Sequence, residues 1–442
     1  MRLQLRRITV LIFVVYLLIT LYSCYRLLQK YVAPEKLSRS PSDTGKLSGE
    51  AEEAGHHLRQ TPPPLGAPIP GGGARHGSDG ASLAAVRNAT GLQSPGERKV
   101  VDIWGKAAIG LYLWQHVLNG SLTLQPGGMW SYGETVIGDV HFRFRTGPGV
   151  SPTTVPSDVT HLVLVLNGRE QTKVVFSQVW LRSLSLLSRL KHTAVVLLGN
   201  ESCDNSWTKP YMRTRGGPLD QVFLVYDSTE VDGRMVLQWP LGVATYREFP
   251  NLLPESLALE RVRPFSCNFF GTVYANSTRE RLLHVIKVHK LKCLVKGRTT
   301  WQSKETRATL KAYTNALINS DLTLCPVGKN SESYRIYEAM TFGSVPVLED
   351  QVTPGHCDIT PYRLLKQLQA PVLYIKDWAE LPALLTREAA LSTAEVTARR
   401  RRVVQWYHDF KATMKQRFVD GVEHSFFTKL NDRYYDAKQG YL

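Results

Sequence analysis

The chain has no Cys-x-x-Cys pair, no Asp-x-Asp and no complete phosphate-binding P-loop, and each absence removes a class of chemistry. Its six cysteines stand apart at 24, 203, 267, 293, 325 and 357, which excludes zinc ribbons and thioredoxin-type exchange. Gly328-Lys329 lacks the earlier glycine of a Walker motif and is followed by Asn330, so that kinase class is excluded too. Without an Asp-x-Asp, the nearest pair for holding a divalent metal is Glu230 with Asp232, just past an apolar run. Acidic residues are in short supply: 38 Asp and Glu stand against 54 Lys and Arg, a formal net charge of +16. Zinc-finger spacing and aromatic-interleaved basic platforms are missing, so that excess does not point to nucleic acid. It suits other acidic partners, such as anionic membrane surfaces and phosphorylated glycans. The densest basic run, residues 399–402, reads as a solvated helix face.

At 442 residues with 43% hydrophobic content, the chain is too long for one ordinary core, and two domains plus extensions are expected. Residues 1–7 carry Arg2, Arg6 and Arg7, and residues 8–25 then hold no charge. That run is about the minimum for a spanning helix, and it ends in bulky Leu21, Tyr22 and Tyr25 instead of small residues. A transmembrane signal-anchor is expected, with residues 1–7 as a cytosolic tail and the rest luminal; the alternative is a cleaved signal peptide. Residues 26–100, with a Pro- and Gly-rich stretch at 61–73, read as a disordered luminal stem. Asn88, Asn119, Asn200 and Asn276 lie in Asn-x-Ser/Thr sequons and fit a luminal location.

From about residue 101 the pattern is α/β. Residues 161–166, 193–198 and 221–226 are continuous apolar runs, with a helix expected at 172–190. Runs of this kind between helices mean parallel strands covered on both faces. The plan repeats with strands at 266–272, 292–295 and 370–375 and helices at 277–288 and 309–319. Two Rossmann-like domains are predicted, 101–250 and 251–395. A C-terminal helix and tail follow at 396–442, with Val403, Trp406, Tyr407, Phe410, Met414 and Phe418 on one stripe.

The stretch with the most chemistry lies at 320–349. Residues 322–325 favour a strand, which Pro326 and Gly328 break. Ser331 or Ser333 can cap a helix whose buried face is Ile336, Ala339 and Met340. Gly343 ends that helix before a strand at 345–348. Glycine-eased backbone approach at a helix N-terminus makes an anion site, and a diphosphate is its natural guest. Arg335 can add a bidentate charge, and Glu338, three residues on, can accept from the vicinal diol of a ribose. Lys329 is a further cation of this loop, or simply solvated. The plainer alternative is an exposed Arg335–Glu338 pair worth ~0.2–0.5 kcal/mol.

These residues resemble the signature of exostosin-type glycosyltransferases, in which a Pro-x-Gly loop precedes an arginine, an acidic residue and Gly-x-x-Pro-Val. Here those are Pro326, Gly328, Arg335, Glu338 and residues 343–347. The likeness extends to residues 264–274 and 313–317. With residues 103–114 and 238–246 it narrows to the xylosyltransferases of that family. The resemblance implies two facing Rossmann-like domains of the GT-B type, with the donor on the second and the acceptor on the first. It implies inverting transfer from UDP-xylose without a required cofactor, to a phosphorylated O-mannosyl glycan on α-dystroglycan. It further implies a Golgi membrane protein with fukutin-type Golgi enzymes as plausible partners. The donor-binding set would be Pro326, Gly328, Lys329, Ser331, Arg335 and Glu338, and a Cys293–Cys325 disulfide is implied as well. The base belongs at the carboxyl end of a first-domain strand, where Asp227 and Glu170 are candidates beside Glu201 and Asp204. Arg169 is a candidate for the acceptor phosphate. Two alternatives remain: a metal-dependent transferase using Glu230 and Asp232, and a non-catalytic luminal glycan-binding protein.

Overall fold

The computed structural model describes Tyr22 and residues 99–302, 304–352 and 362–428. The expected tail and stem-anchor segments, with Asn88 and most of 8–25, lie outside the described residues. Among the described residues no helix is long and apolar enough to cross a membrane.

The first sheet is built between residues 99 and 239 in the order β2-β3-β4-β1-β5-β6-β7-β8. Its parallel body is β1 (Lys99–Gly105), β5 (His161–Asn167), β6 (His192–Leu198), β7 (Gln221–Val225) and β8 (Val236–Trp239). The interiors of β5, β6 and β7 are buried along their length, as continuous apolar strands covered on both faces must be. One margin carries β2 (Thr123–Leu124), β3 (Ser131–Ile137) and β4 (Val140–Thr146), which sequence reading missed. β3 and β4 form an antiparallel hairpin closed at Gly138, whose φ of 58° suits a two-residue turn. Their alternating, half-polar pattern marks an edge and hides them from a search for apolar runs. Helix α1 (Gln171–Ser183) ends short of the expected 190. There Ser183 Oγ turns back onto the Val179 and Trp180 carbonyls, and the chain tightens over 184–186.

The second sheet is all parallel, in the order β10-β9-β11-β12-β13. It comprises β9 (Phe265–Thr272), β10 (Cys293–Arg298), β11 (Ser320–Cys325), β12 (Val345–Glu349) and β13 (Leu373–Ile375). Helices α2 (Thr278–Val288), α3 (Arg307–Ile318), α4 (Tyr334–Thr341), α5 (Arg363–Gln367) and α6 (Leu381–Ala389) accompany it. Strand order reverses between β9 and β11, so a crevice opens at their carboxyl ends, where such folds bind ligands. The fold is thus mixed α/β, with one largely parallel sheet and one wholly parallel sheet.

The last described element is α7 (Thr393–Phe427), 35 residues long and begun by a capping box between Ser392 and Glu395. It spans ~50 Å at 1.5 Å per residue. Its first turns serve the second sheet, where Tyr407 and Phe410 pack on Tyr337 of α4. Its later turns serve the first, where Phe418 sits among Phe142, Phe223 and Trp239. Arg400 overturns the expectation of a solvated basic face: it is buried, ion-paired with Asp321 and bonded to the Leu259 and Arg261 carbonyls. Arg399 and Arg401 pair with Glu388 and Glu260.

The implied Cys293–Cys325 disulfide is not formed. Cys293 bonds Cys267, its direct partner across the β10–β9 ladder. Cys325 is a free, buried thiol, and burial pushes it up to about 12. Its strand β11 lies on the far side of β9 from β10, so it cannot reach Cys293.

Candidate active site

The crevice between β9 and β11 is where the 320–349 stretch folds. Pro326 and Val327 continue β11 inward, and the Val327 amide donates to Glu349 Oε2 at 2.9 Å. Asn330 shapes the turn: its carbonyl accepts from Gly328 N, and its Oδ1 accepts from Glu332 N at 2.9 Å. Lys329 points to solvent. Ser333 occupies the N-cap of α4, but its hydroxyl caps nothing and is buried without a partner. Ser331 does not cap either; its carbonyl accepts from Tyr362 OH at 3.1 Å. The expected serine cap is therefore absent.

Arg335 is not on an exposed polar face. It is buried, with its guanidinium 5.0 Å from the Phe269 ring centroid and Nη2 donating to the Phe270 carbonyl at 2.7 Å. Its Nε and Nη1 are buried without partners. A second guanidinium, missed in the sequence, stands nearby: Arg279, the second residue of α2, donates to the Thr272 carbonyl at 2.8 Å. Its Nε and Thr272 Oγ1 are also buried and unpartnered. Burial, and then the charge of Arg335, lower the Arg279 pKa to about 10. Among the described residues no carboxylate forms an ion pair with either arginine, although Arg335 is buried and Arg279 half-buried. Two glycines make room for them. A Cβ on Gly271 would stand 2.6 Å from Arg335 Nη2, and one on Gly328 would stand 2.7 Å from Arg279 Nη2.

Both arginines are the second residue of their helices, where the helix dipole disfavours a positive side chain. Two cations at two helix N-termini, each with a buried donor still unspent, form a site for an anion carrying more than one charge. The sequence marks Arg279 only as a first-turn arginine after a strand, and it takes the strand order to bring it beside Arg335.

Glu338 also departs from the exposed pair. Its Oε1 accepts from Ala244 N at 3.1 Å and its Oε2 from Tyr313 OH at 2.7 Å, and burial raises its pKa. Each oxygen keeps a lone pair for a further donor. Glu332 holds the same connecting segment, accepting from Leu241 N at 2.8 Å and from Tyr337 OH at 2.5 Å. Burial pushes it up to about 7, against those two hydrogen bonds, and Asp227 adds to the rise. Gly242, at φ 70°, lies where any Cβ would strike the Tyr112 ring. The four stretches that carry the family likeness, around residues 103–114, 238–246, 264–274 and 313–317, thus meet at this crevice.

The first sheet brings its own carboxyl ends here. Asn330 Nδ2 donates to the Glu201 carbonyl at 3.0 Å, and Arg169 pairs with Glu201 at 3.1 Å and lies 5.9 Å from the Trp301 ring. Asp227 is ion-paired with Arg363, accepts from Ser228 N at 2.8 Å and leaves Oδ2 buried without a partner. Burial raises its pKa. Glu170 instead stands exposed at the N-cap of α1, bonded to Thr172, and Asp204 receives Ser206 N in a loop. Asp232 spends Oδ1 on the amides of Arg234, Met235 and Val236, and Glu230 engages Ser228 and Lys209. Both members of the acidic pair therefore have structural partners. Asn119 and Asn276 are exposed, whereas Asn200 is half-buried and its Oδ1 accepts from Ser202 N.

Comparison with known proteins covers nearly all of this framework. Residues 101–240 match a family model described as the RXYLT1 N-terminal domain, and residues 246–427 match the RXYLT1 C-terminal domain. The chain is 50% identical over 336 residues to ribitol-5-phosphate xylosyltransferase 1 of Danio rerio, covering 74% of this chain and 77% of that one. The proteins of the same name from Mus musculus and Homo sapiens are 48% and 46% identical, over 342 and 341 residues, each covering 74% of this chain and 76% of the relative.

Proposed function

The chain belongs to the ribitol-5-phosphate xylosyltransferase family, and from that premise we propose that it transfers xylose from UDP-xylose to ribitol 5-phosphate borne on the O-mannosyl glycan of α-dystroglycan. The observation that carries the donor half is the pair of guanidiniums at the β9–β11 crevice, Arg335 and Arg279, each bonded to one backbone carbonyl and each with a buried donor left over. In the GT-B reading the second sheet holds UDP-xylose there and the first sheet faces it with the acceptor. The diphosphate lies across the two arginines and the backbone at Gly328, and Glu338 accepts from the ribose.

The reaction is read as a single displacement with inversion. The acceptor hydroxyl gives its proton to Asp227 as its oxygen bonds to the xylose anomeric carbon, and the bond from that carbon to the diphosphate breaks. UDP leaves with the electron pair, and the charge it gains falls on Arg335 and Arg279, donors fixed in a site shielded from water. Asp227 is preferred over Glu170 because its Oδ2 is buried and unspent at the crevice, whereas Glu170 faces solvent. Arg169, beside the crevice, is read as a ligand of the acceptor phosphate. The two arginines supply the charge that a metal would otherwise bring, and Asp232 is already committed to three amides. Activity without added metal is therefore part of the reading.

The basic flank of residues 8–25 and the exposed sequons at Asn119 and Asn276 support a single-pass type II Golgi membrane protein, with this body in the lumen and fukutin-type enzymes as neighbours. The test is xylosyl transfer by the full chain in detergent, from UDP-xylose to ribitol 5-phosphate acceptors, with and without EDTA. Product formation that survives EDTA is expected. Absence of transfer refutes the function, and complete loss in EDTA with recovery in Mn²⁺ refutes the metal-free arrangement.

A further inference from the structure

A cavity of about 450 Å³ opens at the carboxyl ends of β1 and β5, against helix α1. That is ample for a sugar ring with a phosphate, since small-ligand sites run from about 300 to 1,000 Å³. Val165, Leu166 and Asn167 of β5 form one side, and Phe176 and Trp180 of α1 form another. Lys106 and Lys173 stand on its walls, and no carboxylate lines it. Lys106 Nζ donates to the Pro148 carbonyl at 2.6 Å, and among the described residues neither lysine has an ion-pair partner. Helix α1 leaves Phe176 68% exposed and Val179 50% exposed on the same side, where a solvated helix would carry polar groups.

We propose that this cavity binds the non-reacting part of the acceptor: an anionic saccharide, its ring against Phe176 and Trp180 and its phosphate on Lys106 and Lys173. The inference rests on the acceptor lying on the first sheet, as read above. Aromatic faces take the C–H face of a sugar ring, and paired lysines take a phosphate; a purely apolar ligand would leave both lysines without purpose. Position agrees. Asn167 lines the cavity, and its Oδ1 accepts from Arg169 N at 3.0 Å. Arg169 follows the cavity wall by two residues, in a turn closed by that bond, and its guanidinium approaches Trp301 of the other half. A glycan seated in the cavity thus projects its terminal polyol toward the transfer site.

The test compares Lys106→Gln/Lys173→Gln and Phe176→Ala with wild type in the full-length enzyme, using two acceptors: free ribitol 5-phosphate and a phosphorylated O-mannosyl glycopeptide ending in it. These are exposed positions, and melting curves confirm folding. The expected result is a KM for the glycopeptide raised about tenfold, with the KM for UDP-xylose, the KM for free ribitol 5-phosphate and slow UDP-xylose hydrolysis unchanged. An unchanged glycopeptide KM overturns the proposal, and so does an equal rise for both acceptors, which would place the lysines on the reacting unit instead. A wild-type enzyme that does not use UDP-xylose would refute the donor reading alone. Glycopeptide binding by calorimetry to the same variants would then decide the cavity, with unweakened binding overturning it.

Discussion

Replacing Arg335 by methionine separates a ligand-binding arginine from a structural one. In the free protein this guanidinium makes one protein hydrogen bond, to the Phe270 carbonyl, and one ring contact, with Phe269. Losing the bond costs about 0.5–1.5 kcal/mol. Against that loss, methionine removes a buried cation without an ion-pair carboxylate and relieves its repulsion of Arg279. The free enzyme should therefore keep its stability within ~1 kcal/mol of wild type. UDP binding should suffer far more. Nε and Nη1 are the donors left for a diphosphate, and charge-assisted bonds are worth ~1.5–3 kcal/mol each. A loss of about 3 kcal/mol, ~100-fold in Kd, follows if both are used. At UDP held 100-fold above the wild-type Kd, wild type gains ~2.7 kcal/mol of stability and the variant only ~0.4 kcal/mol. Calorimetric titration with UDP, beside melting curves with and without UDP, reads both quantities. A variant that binds UDP like wild type, or that loses melting temperature in the free state as heavily as it loses affinity, refutes the reasoning. Arg279→Met should act in the same direction, and the double variant should fall short of the sum, because both charges serve one anion.

Asp227→Asn should lower kcat at least a hundredfold, on the scale of general-base catalysis, while UDP affinity stays near wild type; a kcat within threefold of wild type removes it as the base. Glu332 makes a pH prediction. Its pKa rises from 4.5 to about 7 in the folded protein, so the folded state holds a proton that the unfolded state has released. Its contribution to stability is complete below pH 4.5 and is lost as pH rises through 7, by at most ~3 kcal/mol at ~1.4 kcal/mol per pKa unit. Between pH 5 and 8, wild type should lose stability relative to Glu332→Gln, which mimics the protonated form; parallel pH profiles from denaturant melts would contradict this.

The continuous apolar strands β5, β6 and β7 were legible because burial on both faces leaves a signal in every residue. The hairpin β3–β4 was not, because its strands bury only alternate residues. In the 320–349 stretch, order along the chain was readable: strand, Pro-x-Gly loop, helix, strand. What failed was the environment. A three-residue spacing on a helix looks the same whether its face meets water or another part of the chain, so an exposed Arg335–Glu338 pair stayed open beside the clamp. Only the fold shows that residues 240–245 lie across α4, with the Ala244 amide on Glu338. Arg279 needed the strand order, since only the β9–β11 reversal places the first turn of α2 beside α4. The disulfide likewise needed the ladder, which sets Cys293 opposite Cys267 and puts Cys325 one strand too far.

The position of Phe418 bears on how the protein is made. The ribosome delivers the first sheet's strands early, but the ring seated among Phe142, Phe223 and Trp239 belongs to almost the last turns of α7. Until those turns emerge, part of one face of the first sheet lacks its cover, and it stays so while roughly two fifths of the chain, from Trp239 to Phe418, is still being synthesised. A premature stop after β13 would leave the donor crevice's own residues present in the chain. Yet it would strip the cover from the opposite half, so a lesion that reads as a lost tail would act as a folding defect of the amino-terminal sheet.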